Sequence, residues 1–208
     1  MKLQLALDTV DLDGAKVLLD DLHGLVDLAE IGTPFVYREG LRAVTTIARA
    51  YPELDIVADL KIIDAGEYEA GLAFEAGADI VTVLGVAHDS TIRGVIDQAR
   101  AWGKQVMADL IAAKDVLQRA DELDAMGVDY LCVHTATDLQ AHGQDPLDAL
   151  RRVQPVLRRA RIAVAGGVTP ALMKDIVPQH PDIVIVGSFI TRHDAPRHAA
   201  QRIRASFQ

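Results

Sequence analysis

The stretch ADIVTVLGV, residues 78–86, is the clearest indicator of the fold. It is a short, continuous apolar run rich in β-branched residues, which is typical of a buried strand. Runs of this kind recur along the chain, at residues 2–8, 25–33, 55–62, 78–86, 105–111, 128–135, 161–168 and 182–190. Helix-like amphipathic stretches lie between them, for example at 12–22, 41–50 and 116–126. This alternation predicts βα units and a parallel sheet, because each parallel crossover needs a helix.

An aspartate that opens the run at 78–86 belongs to a weak internal repeat. Asp27, Asp79, Asp129 and Asp182 each open a predicted strand, and they lie about 50 residues apart, the length of two βα pairs. Four such units give eight strands and predict a single (β/α)8 TIM barrel over residues 1–208. The alternative interpretation of the repeat is that aspartate often begins strands, in which case the strand count alone supports the barrel.

A doubly wound open sheet is the competing architecture. Its glycine-rich phosphate-binding turn should follow the first strand, yet that strand ends Leu7-Asp8-Thr9 with no glycine. The barrel is therefore the preferred fold.

The composition limits the functional classes. The formal charge is −9, which argues against a nucleic-acid or anionic-membrane binder. One cysteine excludes a disulfide framework, and Cys132 itself is interpreted as a packing residue. The first residues do not form a signal peptide, and no run is long enough to span a membrane, so we expect a cytoplasmic protein.

Alternation along the strands predicts a ring of polar side chains inside the barrel. Residues that share the inner face and lie near the carboxyl ends of their strands are Asp8, Glu30, Asp59, Lys61, Asp109 and His134. Barrel enzymes build their active sites at this rim. Four carboxylates repel one another, and a divalent cation together with the lysine would offset that repulsion. Oxygen ligands without cysteine favour Mg²⁺.

Strands seven and eight end in glycines instead. Gly166 and Gly167 precede a Thr169-Pro170 helix start, and Gly187 and Ser188 precede another. Exposed backbone N–H groups and helix N-termini bind anions, and a phosphate site at this point is common in barrels. The pattern predicts a phosphate-binding site for an anionic substrate, although two ordinary glycine turns would give the same sequence.

These residues also carry a family resemblance. The stretch 59–64, DLKIID, is similar to the D-x-K-x-x-D motif of the orotidine-monophosphate decarboxylase suprafamily. Within that group, the chain resembles the 3-hexulose-6-phosphate synthases at 3–8, 30–34, 133–135, 138–141 and 163–167. The resemblance implies an aldolase that condenses D-ribulose 5-phosphate, a phosphorylated ketose, with formaldehyde to D-arabino-hex-3-ulose 6-phosphate through a 1,2-enediolate.

The resemblance also implies roles for individual residues. Glu30 and Asp59 would bind Mg²⁺, Lys61 would stabilise the enediolate, and His134 would transfer protons. Asp64 would enter the active site of the partner subunit in a homodimer. Asp8 and Asp109 would hold hydroxyls or water, and the phosphate would be bound by Gly166, Gly167, Gly187 and Ser188.

A sister family, the 3-keto-L-gulonate-6-phosphate decarboxylases, is the alternative function. These enzymes have Glu, Arg and Thr where this chain has Asp109, Thr137 and Ala165. The combination of Asp109 and Ala165 looks like a synthase, whereas Thr137 does not decide between the families, because the synthases vary there. They also carry Arg at the position of Ser188, for which Arg192 offers a substitute cation. Orotidine-monophosphate decarboxylation, which needs no metal, and a catalytically idle sugar-phosphate sensor are the weaker alternatives.

Overall fold

A computed structural model describes residues 1–140 and 142–207 as a closed barrel of eight parallel strands in sequence order. The strands are β1 Lys2–Leu7, β2 Leu28–Ile31, β3 Asp55–Ile62, β4 Ile80–Leu84, β5 Gln105–Asp109, β6 Tyr130–His134, β7 Arg161–Ala165 and β8 Ile183–Val186. The predicted (β/α)8 barrel is confirmed. Ala141, in the motif at 138–141, and Gln208 lie outside the described residues.

Helices connect the strands around the outside of the barrel. They are α1 Leu12–Asp21, α2 Thr33–Glu39, α3 Arg42–Ala50, α4 Gly66–Glu75, α5 Asp89–Trp102, α6 Val116–Met126, α7 Thr137–Gln140, α8 Leu147–Val153, α9 Pro170–Ile176, α10 Ser188–Thr191 and α11 Pro196–Ala205. The helices predicted at 12–22, 41–50 and 116–126 are α1, α3 and α6. Within the described ranges, no helix has the length and apolar character needed to cross a membrane.

Two apolar layers fill the molecule. Leu3, Leu5 and Leu7 of β1 belong to the large core between strands and helices. Alternate positions, such as Ala6, Val57 and Met107, form a separate cluster inside the barrel. The inner and outer faces predicted from strand alternation are therefore the observed ones, and Cys132 packs in the inner cluster, buried, as predicted.

The four repeated aspartates lie at the amino-terminal end of the barrel and make equivalent hydrogen bonds. Each carboxylate accepts the backbone N–H of the second residue of the preceding odd-numbered strand, at 2.7–2.9 Å: Asp27 from Leu3, Asp79 from Ile56, Asp129 from Val106 and Asp182 from Ile162. Each aspartate N–H returns a bond to the carbonyl of that same residue. The repeat is therefore a structural device that joins strands in pairs.

Candidate active site

The carboxyl ends of the strands surround a cavity of about 730 Å³. Ten of the eleven predicted site residues line it: Asp8, Glu30, Asp59, Lys61, Asp109, His134, Gly166, Gly167, Gly187 and Ser188. Its floor is formed by inner-cluster residues such as Ala6, Met107 and Ile185. The strand geometry thus brings the acidic ring and the glycine turns into one space.

Asp59 and Lys61 form an ion pair near the carboxyl end of β3. Between Ala58 and Ile62 the register of β3 against β4 shifts, and Lys61 adopts a left-handed backbone conformation with φ +49°. Such a bulge redirects a side chain at the cost of backbone strain. The Lys61 ammonium reaches Asp59 Oδ2 and, at 3.3 Å, Thr33 Oγ1.

Two threonines hold this ion pair in place. Thr82 Oγ1 donates to Asp59 Oδ1 at 2.8 Å and accepts the Lys61 backbone N–H at 2.9 Å. Thr33 Oγ1 lies 2.9 Å from Asp59 Oδ2 and 2.7 Å from the Asp59 carbonyl oxygen. Sequence analysis missed both residues, although Thr82 shares the inner parity of Ile80 and Thr33 lies in the motif at 30–34.

The charges of this pair stabilise each other. Burial disfavours the ionised form of Asp59, but the Lys61 ammonium and the hydrogen bonds from Lys61, Thr82 and Thr33 outweigh it and lower the pKa of the carboxyl. Burial likewise opposes the Lys61 charge, and the negative charge of Asp59 overcomes it, so the pKa of Lys61 is raised. Both groups are ionised at neutral pH.

Glu30 and Asp8 have the opposite electrostatic environment. Burial, and then repulsion from Asp59, raises the pKa of Glu30 well above its usual value. The same two causes raise the pKa of Asp8, while Lys61, His134 and Arg192 partly oppose them. The lysine alone therefore leaves this acidic ring short of positive charge.

The residues fit the Mg²⁺ ion that the resemblance implies. Glu30 and Asp59 offer carboxylate oxygens from the adjacent strands β2 and β3, and an ion between them would relieve the repulsion that raises the Glu30 pKa. Among residues 1–140 and 142–207, no group of three or more His, Cys, Asp or Glu side chains forms a metal site. Mg²⁺ is commonly bound by one or two carboxylates, with water and substrate oxygens completing its shell.

Asp109 and His134 form a second pair, on the adjacent strands β5 and β6. His134 Nδ1 lies 2.8 Å from Asp109 Oδ2, and Asp109 Oδ1 accepts the Ile111 N–H at 2.8 Å. A carboxylate at Nδ1 favours the tautomer with its proton on that nitrogen, which leaves Nε2 as a proton acceptor. The pair thus has the arrangement of an oriented acid–base group.

Space around Asp8 is available because its neighbour Gly32 has no side chain. A Cβ on Gly32 would lie 2.1 Å from Asp8 Oδ1, whereas one on Gly187 would lie 3.5 Å from Oδ2, an ordinary van der Waals contact. Gly32 has an ordinary φ of −63°, so it is needed for space rather than for backbone freedom. Sequence analysis did not single out Gly32, and only its place in the motif at 30–34 could have indicated it.

The glycine turns form the other end of the cavity. Gly166 has φ +97°, and a Cβ there would lie 2.3 Å from the Thr135 carbonyl oxygen, so only glycine fits. None of the described residues accepts a hydrogen bond from the N–H of Gly166, Gly167 or Gly187. Arg192 lines the same end and makes no ion pair within the described part of the chain. This end of the cavity therefore offers free donors and a cation to an anion.

Asp64 is the one predicted site residue that lies outside the cavity. It is exposed just before α4, where its Oδ1 accepts the N–H of Ala65 at 2.8 Å. Exposed apolar side chains flank it at Ile63 and Tyr68. Within one chain, therefore, Asp64 takes no part in the ring.

Comparison with known proteins gives consistent matches. Residues 1–203 match the model of the orotidine 5'-phosphate decarboxylase / HUMPS family. A curated 3-hexulose-6-phosphate synthase of Staphylococcus aureus (strain USA300) is 47% identical over 208 residues, which cover 100% of this chain and 99% of the relative.

Solved structures of the same group of enzymes are also similar to this chain. The 3-hexulose-6-phosphate synthase of Salmonella typhimurium superposes with a TM-score of 0.97 at 46% identity, covering 100% of this chain and 98% of that one. The 3-keto-L-gulonate-6-phosphate decarboxylase of Vibrio cholerae has a TM-score of 0.88 at 25% identity, covering 99% and 96%. Because the family model spans nearly all of the sequence and a full-length relative is almost half identical, the chain belongs to the orotidine 5'-phosphate decarboxylase / HUMPS family.

Proposed function

We propose that this protein is an Mg²⁺-dependent aldolase that condenses D-ribulose 5-phosphate with formaldehyde to a 3-ketohexose 6-phosphate, the product that the name of its synthase relatives gives. The observation that carries the proposal is the convergence of Asp59–Lys61, Asp109–His134 and the free glycine N–H groups in one cavity. This arrangement matches a substrate with a phosphate at one end and a reacting hydroxyketone at the other.

The proposed reaction begins with loss of a proton from C1 of the ketose. The His134 imidazole, oriented by Asp109, is the proposed base. The enediolate carbon then attacks formaldehyde, and the new alkoxide takes up one proton, so atoms and charge balance. When bound at Glu30 and Asp59, the divalent cation would supply Lewis-acid stabilisation of the substrate oxygens.

Lys61 is the proposed electrostatic partner of the enediolate. Its ammonium is fixed before the reaction by Asp59 and Thr33, so no reorganisation is needed as negative charge develops. Asp8 and Asp109 are proposed to position hydroxyl groups or water. The N–H groups of Gly166, Gly167 and Gly187, with Ser188, are proposed to hold the phosphate.

We also propose that the active unit is a homodimer with shared active sites. Asp64 is exposed and separated from the cavity of its own chain, and Ile63 and Tyr68 expose apolar surface around it. Exposed apolar patches commonly mark protein–protein contacts. Asp64 of the partner subunit would then complete each site.

The deciding experiment incubates the purified protein with ribulose 5-phosphate, ¹³C-formaldehyde and Mg²⁺. We expect the label to appear in a phosphorylated six-carbon ketose by NMR. A parallel incubation with 3-keto-L-gulonate 6-phosphate tests the decarboxylase alternative, in which CO₂ is released and no labelled hexose forms. Binding of the ketose phosphate with neither product would indicate a catalytically idle sensor instead.

A further inference from the structure

Gln4 is a fully buried amide beneath the acidic ring. It lies in β1 with its side chain on the inner face, in register with Leu28 of β2 and Ile185 of β8. Both neighbours belong to the inner apolar cluster. A polar side chain in this layer needs an explanation, because an apolar residue of the same size would pack there without losing hydrogen bonds to water.

Only half of this amide is satisfied. Its Nε2 donates to Glu30 Oε2 at 2.7 Å. Its Oε1 accepts no hydrogen bond, and among the described residues it is the one buried side-chain oxygen or nitrogen without a partner. An unsatisfied amide oxygen lowers stability, so the position is not optimised for folding.

The hydrogen bond from Gln4 divides the two oxygens of Glu30. Oε2 is occupied by the amide. Oε1 accepts no bond from a described residue, yet it is not among the buried atoms without a partner, so it remains accessible from the cavity that Glu30 lines. Oε2 therefore faces the protein interior and Oε1 faces the cavity.

We infer that Gln4 is a positioning residue that orients Glu30 so that Oε1 is presented to the divalent cation. The inference rests on the proposed function, in which Glu30 and Asp59 bind that cation. Hydrogen bonds from outside the ligand shell commonly set the orientation of metal-binding carboxylates. A role of this kind accounts for the presence of a buried amide whose oxygen is unsatisfied.

The test compares Mn²⁺ binding and thermal unfolding of metal-free wild type and Gln4→Met, a substitution that keeps side-chain length without polar atoms. Mn²⁺ affinity is followed by the EPR signal of the free ion. We expect affinity to fall about 10- to 100-fold, while the unfolding midpoint stays equal or rises because the unsatisfied oxygen is gone. Gln4→Asn, whose amide is one methylene shorter and cannot reach Glu30, should weaken Mn²⁺ binding as well.

Ile80→Val is the matched control, because it alters the same inner layer away from Glu30. Its Mn²⁺ affinity should equal that of wild type. Unchanged affinity in both Gln4 variants would overturn the inference, as would an affinity loss accompanied by a lower unfolding midpoint, which indicates a structural role. Absence of Mn²⁺ binding by wild type would overturn the cation site of the proposed function itself, and the inference with it.

Discussion

The ammonium group of Lys61 places a positive charge within the acidic ring of the cavity. Lys61 lies in a strained bulge, and its ammonium is held by Asp59. The electrostatic role proposed for it makes the variant Lys61→Ala the sharpest residue-level test.

We expect Lys61→Ala to lower turnover by about 10²- to 10³-fold, the usual effect of losing one preorganised charge partner. Binding of ribulose 5-phosphate, measured by calorimetry, should persist because its phosphate is held at the glycine end. Lys114→Ala, which removes an exposed lysine outside the cavity, is the control. Unchanged turnover in the Lys61 variant would remove this residue from the mechanism.

The raised pKa of Glu30 makes the stability of the folded protein fall as the pH rises. Because the folded protein raises the Glu30 pKa above 4.5, the folded state binds this proton more tightly than the unfolded state. Its contribution is fully present below 4.5 and is lost as the pH rises through the folded pKa. We expect the unfolding midpoint of the metal-free protein to fall over that range, and saturating Mg²⁺ to reduce the fall.

The variant Glu30→Gln should flatten this profile, whereas Glu75→Gln, at an exposed helix position, should keep the wild-type slope. Differential scanning fluorimetry in EDTA across the pH series makes the measurement. Parallel profiles for wild type and Glu30→Gln would contradict the electrostatic account of the ring.

Arg192 tests the anion end of the cavity. A charge-assisted hydrogen bond to phosphate contributes about 1.5–3 kcal/mol, so Arg192→Ala should raise KM for ribulose 5-phosphate by about 10- to 100-fold with little change in kcat. Arg192→Lys should recover part of the loss. Arg49→Ala, an exposed arginine of α3, serves as control. If Arg192→Ala raised the KM for unphosphorylated ribulose by the same factor, Arg192 would not act on the phosphate.

Much of the ring could be predicted at this scale, because side chains alternate along a strand and the ends of parallel strands meet at one rim. The partners that organise the ring could not. Thr82 and Thr33 are ordinary strand and helix-start residues until the structure shows both on Asp59. The bulge at Lys61 depends on how β3 fits against β4, which local sequence does not reveal.

At the scale of elements, the strands were predictable because apolar runs and intervening helices alternate. The ends of the strands were less predictable. The run at 182–190 continues through β8 into α10, and the run at 25–33 ends where α2 begins. Apolar residues persist across these junctions, so composition alone does not separate strand from helix. Short helices such as α7 and α10 have too few turns to show a helical period.

The hydrogen bonds of the repeated aspartates should stabilise the pairing of the strands, and Asp129 provides the test. Asp129→Ala would leave the buried N–H of Val106 without its acceptor. An unpaired buried donor costs about 1–3 kcal/mol, so chemical denaturation should show a loss of this size. Asp129→Asn retains an acceptor oxygen and should lose less, and the kcat of both variants should match wild type because the residue lies at the opposite end of the barrel. Equal stability of wild type and Asp129→Ala would refute this role.

At the scale of the whole molecule, the proposed shared site can be tested by mixing two inactive variants. Asp64→Ala and Lys61→Ala each lack one component of the site. In a hybrid dimer, one of the two sites combines the intact Lys61 of one chain with the intact Asp64 of the other. After unfolding and refolding of an equal mixture, about one quarter of wild-type activity should return.

Each variant refolded alone is the control and should remain inactive. Activity in the mixture no greater than the sum of the two separate variants would argue against a shared site. Size-exclusion chromatography with light scattering establishes in the same samples whether dimers form.

The hydrogen bonds of the repeated aspartates also join the last strand of the barrel to the first. The carbonyls of Asp27, Asp79 and Asp129 accept the first N–H of the next odd-numbered strand, and the Asp182 carbonyl accepts the N–H of Lys2 in the same way. The hydrogen-bonded joint between β8 and β1 is thus equivalent to the joints between β2 and β3, β4 and β5, and β6 and β7, although the chain does not run from β8 directly into β1. A circularly permuted chain, with its present ends linked and new ends opened at another of these joints, would keep every one of these contacts.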